Sequence, residues 1–336
     1  MKEHKRMLII AGGTGGHIIP AIAMSRELNG FEFTFICGKR KIEKQVYDAH
    51  GITPYTVDMG SFSIFRMISS SFAIFIKTFQ FIRKNNFSCV VSAGSYVSLI
   101  PSAAALCLNK PLFLLEQDIQ LGVTNKLLSF GAKAVFTGFQ IKSIGVKNEK
   151  LIKTGHIVKR DILTDSHKCS DIQVPKDKKV ILVMGGSQGS LNMTRMVIDS
   201  ASKMKDIFII AIAGMSSENF KNGPNILIMP YTIDMGYLYS ISDLVVSRAG
   251  ALSYAELLCA GKRALFIPLP TARNDHQTTN AAYYRRTHKQ FDMLEEKDFT
   301  QNIFEKKVND LLNHSPLKEC HFEGIKTIKK EINKYV

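Results

Sequence analysis

Met7-Leu8-Ile9-Ile10-Ala11-Gly12-Gly13-Thr14-Gly15-Gly16-His17 decides how this chain folds. An apolar run of strand length empties into a glycine-rich turn, and a helical pattern follows directly. A helix that begins at such a turn presents unpaired backbone N–H groups and the positive end of its dipole, which suits an anion and most often a phosphate. With Gly12, Gly13, Gly15 and Gly16 inside five positions, a turn without a ligand is a poor explanation. The spacing departs from G-x-G-x-x-G, and the acid that a dinucleotide site carries about 20 residues further on gives way to Cys37-Gly38-Lys39-Arg40. Adenine dinucleotide binding is thereby disfavoured. His17 falls in the first helical turn, where the dipole stabilises a positive charge poorly, and a neutral imidazole there suits a general base. A capping or packing role fits the local sequence equally well.

Outward from this loop, short apolar runs alternate with longer periodic segments, the pattern of an open parallel sheet with crossover helices. Strands are predicted at 7–11, 33–36, 89–92, 112–115 and 134–137, and again at 180–184, 207–213, 226–229, 244–247 and 264–268. The second series opens, like the first, with a strand and a glycine loop, Gly185-Gly186-Ser187-Gln188-Gly189. Two doubly wound Rossmann-like domains in tandem follow, with the boundary in 153–171, where apolar periodicity lapses. Ligands of such sheets bind beyond the carboxyl ends of the strands, so two facing sheets would form a cleft able to grip two substrates.

The 336 residues fit two domains, and an apolar share of 45% against 22% charged residues provides an ample core. Lys and Arg number 44 against 29 Asp and Glu, and the formal charge of +15 points to an anionic partner. Nucleic acid is the weakest choice, because no basic stripe with interleaved stacking aromatics is present outside one helical segment. Cys37, Cys89, Cys107, Cys169, Cys259 and Cys320 are scattered without a C-x-x-C pair, which reads as free thiols in a reducing compartment. No apolar run approaches the roughly 20 residues of a bilayer span, so membrane contact would be peripheral. The stretch 64–83 carries Phe65, Ile68, Phe72, Phe75, Ile76 and Phe79 at helical spacing, with Arg66, Lys77, Arg83 and Lys84 around them. Half of such a stripe packs on a sheet, and Phe72, Phe75, Ile76 and Phe79 are the candidates for docking on anionic lipid.

Two segments of the second half add binding chemistry. Ser247-Arg248-Ala249-Gly250-Ala251-Leu252-Ser253-Tyr254-Ala255-Glu256 repeats the order strand, small-residue turn, helix, and directs the N–H groups of Ala251, Leu252 and Ser253 outward. Glu256, one turn in, can accept two ribose hydroxyls or merely complement the helix dipole. Asn274-Asp275-His276-Gln277-Thr278-Thr279-Asn280-Ala281 can read sugar hydroxyls through Gln277, with Asn274 or Asp275 as an N-cap.

The loops at 12–17 and 185–189, Tyr96-Val97-Ser98, Glu116-Gln117 with Gly122-Val123-Thr124-Asn125, Arg248 to Glu256, and His276-Gln277 with Asn280-Ala281 resemble, in order and spacing, the MurG glycosyltransferases. The similarity spans nearly the whole chain. It implies a GT-B fold with an N-terminal acceptor domain (1–158), a C-terminal UDP-sugar domain (159–316) and a final helix (317–336) returning to the first. It also implies transfer of N-acetylglucosamine from UDP-N-acetylglucosamine to the C4 hydroxyl of N-acetylmuramate in undecaprenyl-pyrophosphoryl-N-acetylmuramyl-pentapeptide, by a single inverting displacement. A related GT-B transferase acting on another lipid, or a homologue that holds UDP-sugar or lipid without turnover, are the alternatives.

By the same resemblance the donor would meet Ile233 (uracil), Glu256 (ribose), Ser187 with Ala251, Leu252 and Ser253 (diphosphate), Gln277 with His276 (sugar), and Lys159 and Asp118. Thr14, Gly15 and Gly16 would approach the donor sugar and the acceptor diphosphate. Gly13, Gly94, Tyr96 and Asn125 would shape the acceptor site. His17 is the favoured base, with Glu116 or a water as competitor. No Asp-x-Asp pair is present, so neither a metal nor another cofactor is expected. Expected partners are the two substrates, an anionic membrane surface on the cytoplasmic side of a bacterial cell, and cell-wall synthesis or division proteins. The chain departs from the family where Leu115 replaces a histidine, Asp118 an asparagine, Lys159 an arginine, Ser95 a glycine and Ile157 a proline.

Overall fold

The computed structural model describes residues 5–58, 64–141, 145–163, 172–186, 190–272, 275–320 and 323–336, without the side chains of 64–70 and 215. The chain divides into two units, Met1–Ile157 with His321–Val336, and Val158–Cys320.

In the first unit β1 (Lys5–Ile10), β2 (Phe31–Cys37), β3 (Tyr55–Thr56), β4 (Cys89–Ser92), β5 (Leu112–Glu116), β6 (Ala134–Thr137) and β7 (Leu151–Lys153) form one sheet. Its order is β3-β2-β1-β4-β5-β6-β7 and every pairing is parallel. Helices α1 (Gly15–Glu27), α2 (Lys41–Ala49), α3 (Ile64–Asn85), α4 (Leu99–Cys107) and α5 (Val123–Leu128) follow the strands. The second unit has β8 (Lys179–Met184), β9 (Ile207–Ile212), β10 (Ile226–Met229), β11 (Leu244–Ser247), β12 (Arg263–Phe266) and β13 (Phe291–Met293) in the order β10-β9-β8-β11-β12-β13, also parallel. Around them lie α6 (Leu191–Ala201), α7 (Met235–Ile241), α8 (Ala251–Ala260), α9 (His276–Thr287) and α10 (Gln301–Leu312), and α11 (Glu323–Ile332) ends the chain.

Helices on both faces of a parallel sheet bury its strands on both sides, which is why β4, β5, β6 and β11 are buried along their whole length and apolar up to their last residue. Strand order reverses between β1 and β4 and again between β8 and β11. At these switch points adjacent crossovers leave in opposite directions and a crevice opens beyond the carboxyl ends. All ten strands predicted from sequence form, with ends shifted by two residues or fewer. The three unforeseen strands, β3, β7 and β13, are edge strands of two or three residues, too short to carry a periodicity.

α11 belongs to the first unit, where Ile328 and Ile332 are buried and Tyr335 meets the edge of Phe113 at 5.8 Å. Residues 317–320, expected to travel with that helix, group instead with the second unit. Leu317 N–H donates to Gln290, Glu319 N–H donates to the Leu258 carbonyl at 3.1 Å, and Cys320 is disulfide-bonded to Cys259. That disulfide corrects the reading of all six cysteines as free thiols. Nothing in a sequence separation of 61 residues points to it.

Phe75 and Phe79 also depart from expectation. Both are partly buried against the first core, their rings stacked at 6.0 Å, so they support the fold rather than offer a lipid-facing surface. Phe72, 68% exposed, and Ile76 remain outward.

Candidate active site

Three loops of the first unit leave neighbouring strands around the β1/β4 switch point. After β1, Thr14 is the N-cap of α1, and its carbonyl accepts from the His17 and Ile18 N–H groups at 3.1 and 3.2 Å. Gly16 in the first turn is exposed. Gly13 is different, because its N–H donates to the carboxylate of Glu43, a wholly buried residue of α2. One donor of the expected phosphate cradle is therefore already spent on an internal anion.

His17 Nδ1 lies 2.9 Å from the carbonyl oxygen of Ala93, at the end of β4. A carbonyl can only accept, so Nδ1 carries the proton, and in the neutral form of the ring the lone pair is on Nε2. Two adjacent strand ends thus fix the tautomer that a base needs.

In the loop after β4, a Cβ on Gly94 would come within 2.9 Å of Asn125 Nδ2. Ser95 adopts φ +115°, a conformation natural to the glycine it replaces and strained for serine. Tyr96 is 37% exposed, with the Arg40 guanidinium 4.2 Å above its ring centroid. Burial is the main influence raising its phenol pKa.

After β5, the Glu116 carboxylate accepts from Gly122 N–H at 2.8 Å, Asp118 N–H at 3.1 Å and Asn125 Nδ2 at 3.1 Å. Burial, followed by the Asp118 charge, pushes its pKa up to about 7 against those three bonds. Glu116 and Asn125 are both buried and bonded to this loop, so the structure gives them the work of shaping it. Asn125 Nδ2 also donates to the Leu115 carbonyl at 2.8 Å. Ile157 N–H donates to Gln117 Oε1 at 3.0 Å, a bond that the family's usual proline lacks the hydrogen to make.

In the second unit Glu256 projects from α8 and is buried. Its Oε2 accepts from Tyr239 O–H at 2.9 Å, and burial pushes the carboxyl up to about 7 although Tyr239 and Lys159 oppose the shift. Lys159, itself buried, pairs with Asp161 at 3.3 Å and donates to the Ile233 carbonyl at 3.4 Å. Lys159, Ile233 and Glu256, separated by up to 97 positions, therefore lie near one another, and Lys159 is engaged within the protein. Tyr239, Tyr231 and Asp161 join the same cluster and no motif announced them.

Gly250 caps α8, whose first turn presents Ala251, Leu252 and Ser253. Arg248 anchors the turn by donating to the Ile267 and Pro268 carbonyls at 3.1 and 2.9 Å while paired with Glu296. Gln277 Oε1 accepts from Leu269 N–H at 3.0 Å, leaving its amide NH2 to donate, and His276 begins α9 beside it. Asp275 is the N-cap, in a left-handed conformation and without a side-chain capping bond. Ser187 and Asn274 lie outside the described residues. Among the described residues no group of three or more His, Cys, Asp or Glu side chains is arranged to hold a metal ion.

Comparison with known proteins matches residues 7–137 to the glycosyltransferase family 28 N-terminal domain and 180–334 to the family 28 C-terminal domain. A curated relative from a Sulfurihydrogenibium species is 29% identical, covering 98% of this chain and 94% of its own length. One from Pseudomonas entomophila is 30% identical over 84% of this chain and 82% of its own. Both are named UDP-N-acetylglucosamine–N-acetylmuramyl-(pentapeptide) pyrophosphoryl-undecaprenol N-acetylglucosamine transferase. The crystal structure of Acinetobacter baumannii MurG superposes with a TM-score of 0.70 at 23% identity, covering 98% of this chain and 99% of that one. A UDP-GlcNAc 2-epimerase from Neisseria meningitidis reaches 0.69 at 15% identity, so the architecture is shared beyond transferases.

Proposed function

Because the chain belongs to glycosyltransferase family 28, we infer that it transfers N-acetylglucosamine from UDP-N-acetylglucosamine to the C4 hydroxyl of N-acetylmuramate in undecaprenyl-pyrophosphoryl-N-acetylmuramyl-pentapeptide, inverting the anomeric centre. The observation that carries the reading is that motif residues of both halves lie in loops at the carboxyl ends of strands, around the switch point of each parallel sheet.

In this proposal the second unit holds the donor. Glu256 accepts the ribose hydroxyls, Ile233 meets uracil through its backbone, and the first-turn N–H groups of Ala251, Leu252 and Ser253 face the diphosphate. Those donors meet the charge that grows on the leaving UDP, so no metal is invoked. The first unit holds the acceptor. His17 Nε2 takes the C4 hydroxyl proton as that oxygen attacks the anomeric carbon, with the Nδ1 bond to Ala93 keeping the imidazole in register.

The acceptor is a lipid, and the first unit suits an anionic surface. Phe72 and Ile76 on α3, Leu99 on α4, and Val123, Leu127 and Phe130 on and after α5 are exposed. From 59 to 148 the only acids are Glu116 and Asp118, against Arg66, Lys77, Arg83, Lys84, Lys110, Lys126, Lys133, Lys142 and Lys147. Peripheral docking through these apolar residues, in a stretch of sequence rich in Lys and Arg, follows. No helix among the described residues is long and apolar enough to cross a membrane.

The functional test incubates the protein with radiolabelled UDP-N-acetylglucosamine and a short-chain lipid-linked N-acetylmuramyl-pentapeptide acceptor. Labelled, lipid-soluble product with a β linkage supports the reading, and label that never leaves the nucleotide overturns it.

A further inference from the structure

The glycine loop after β1 has less capacity for an anion than its sequence promises, since Gly13 N–H is bonded to Glu43. α2 is tied to that loop at several points. Glu43 Oε2 accepts from Arg40 N–H at 3.0 Å, and Tyr47 O–H donates to the Ala11 carbonyl at 2.8 Å. A Cβ on Gly12 would lie 2.7 Å from the Glu43 carboxylate, and one on Gly38 would lie 2.5 Å from it. The backbone that enters α2 is thus held beside the loop by close packing around one buried carboxylate. Arg40 is the last residue of that entry.

The Arg40 side chain is exposed, and Glu43 binds its backbone N–H. Among the described residues no carboxylate forms an ion pair with the guanidinium. It lies over the Tyr96 ring and interacts with the Tyr96 phenol, and that ring in turn lies 3.7 Å from the Cβ position of Gly13. Such a contact orients a guanidinium while those of its five N–H donors not turned to the phenol stay able to grip a phosphate.

We propose that Arg40 binds the diphosphate of the lipid-linked acceptor beside the glycine loop, with Tyr96 as the platform that aims it. The assignment rests on the transferase reading above and adds to it a residue from a segment the family motifs did not include. Arg40 supplies charged donors in place of the Gly13 N–H, which is committed to Glu43. It acts on acceptor affinity and takes no part in proton transfer.

The test compares the unaltered chain with Arg40→Gln, which carries a planar amide on a shorter stem and removes the charge. Steady-state kinetics with the short-chain lipid-linked acceptor are paired with inhibition, against that acceptor, by an alkyl diphosphate and by the corresponding neutral alcohol. The variant should raise the acceptor KM and the alkyl diphosphate inhibition constant by about 10- to 100-fold, the loss of one charge-assisted contact. The KM for UDP-N-acetylglucosamine, kcat and inhibition by the alcohol should stay within about twofold, and added salt should weaken acceptor binding less in the variant than in the unaltered chain. Unchanged acceptor KM overturns the assignment, as does an equal loss with the diphosphate and the alcohol, which would make Arg40 structural. Absence of transfer by the unaltered chain would instead overturn the transferase reading on which this one rests.

Discussion

Glu256 should make nucleotide-sugar binding and stability respond to pH in opposite senses. Burial raises its carboxyl from 4.5 to about 7, so the folded chain retains a proton there that the unfolded chain releases. Between those values the native state holds more protons, and the contribution of Glu256 makes stability fall as pH rises, by about 3 kcal/mol over the window at 1.36 kcal/mol per pH unit. Ribose hydroxyls that donate to the carboxylate favour its charged form. Binding of UDP-N-acetylglucosamine should therefore expel the proton, with about 0.9 proton released at pH 6 and affinity about tenfold higher at pH 8 than at pH 6. The nucleotide sugar has no phosphate group titrating in this range, which keeps the signal on the protein. Calorimetry in buffers of different ionisation enthalpy reads the proton count, and urea unfolding at pH 5 and 8 reads the stability. Glu256→Gln, whose amide oxygen can still accept from Tyr239, should bind more weakly at pH 8, lose the pH dependence of affinity, and gain stability over the unaltered chain as pH rises. Equal proton release by both proteins would refute the placement of this carboxylate at the ribose.

Other consequences are simpler to read. The Cys259–Cys320 bond closes a loop of 61 residues and should contribute about 4 kcal/mol to the second unit, so reductant should lower its unfolding midpoint while leaving Cys259→Ser unaffected; insensitivity of the unaltered chain would count against the bond. Ser95→Gly relieves a positive φ and loses only a 3.5 Å contact with Ser98, so it should raise the stability of the first unit by about 1 kcal/mol. A drop in the melting temperature of that variant would show that the serine side chain matters more than its backbone. Phe72→Glu with Leu127→Glu should weaken flotation on anionic vesicles without unfolding the protein, whereas Phe75→Glu should destabilise the first unit; unchanged flotation of the double variant would exclude this face as the lipid contact.

The parallel sheets were legible because their strands are continuous apolar runs, and the loops after β1 and β11 were legible because glycine and small residues punctuate them. Side-chain direction was harder. A helical stripe in α3 identified an amphipathic segment, but only packing shows that Phe75 and Phe79 turn to the core while Phe72 turns away. Glu116 and Asn125 stood in the right motif and proved to hold a loop, since spacing does not reveal which lone pairs a neighbouring backbone will occupy. Glu43, Tyr239 and Asp161 reach their sites from elements without a distinguishing pattern, and Glu43 changes the meaning of the glycine loop itself.

In the proposed mechanism His17, a base held on the first unit, drives sugar transfer to a lipid-linked acceptor. Its most direct test is the rate of labelled N-acetylglucosamine transfer by the unaltered chain and by His17→Ala, each first checked for UDP-N-acetylglucosamine binding. Transfer by the unaltered chain is expected, with a kcat lower by about 10²- to 10⁴-fold in the variant and donor affinity preserved. Full activity in His17→Ala would contradict the base, and no transfer by the unaltered chain would contradict the function.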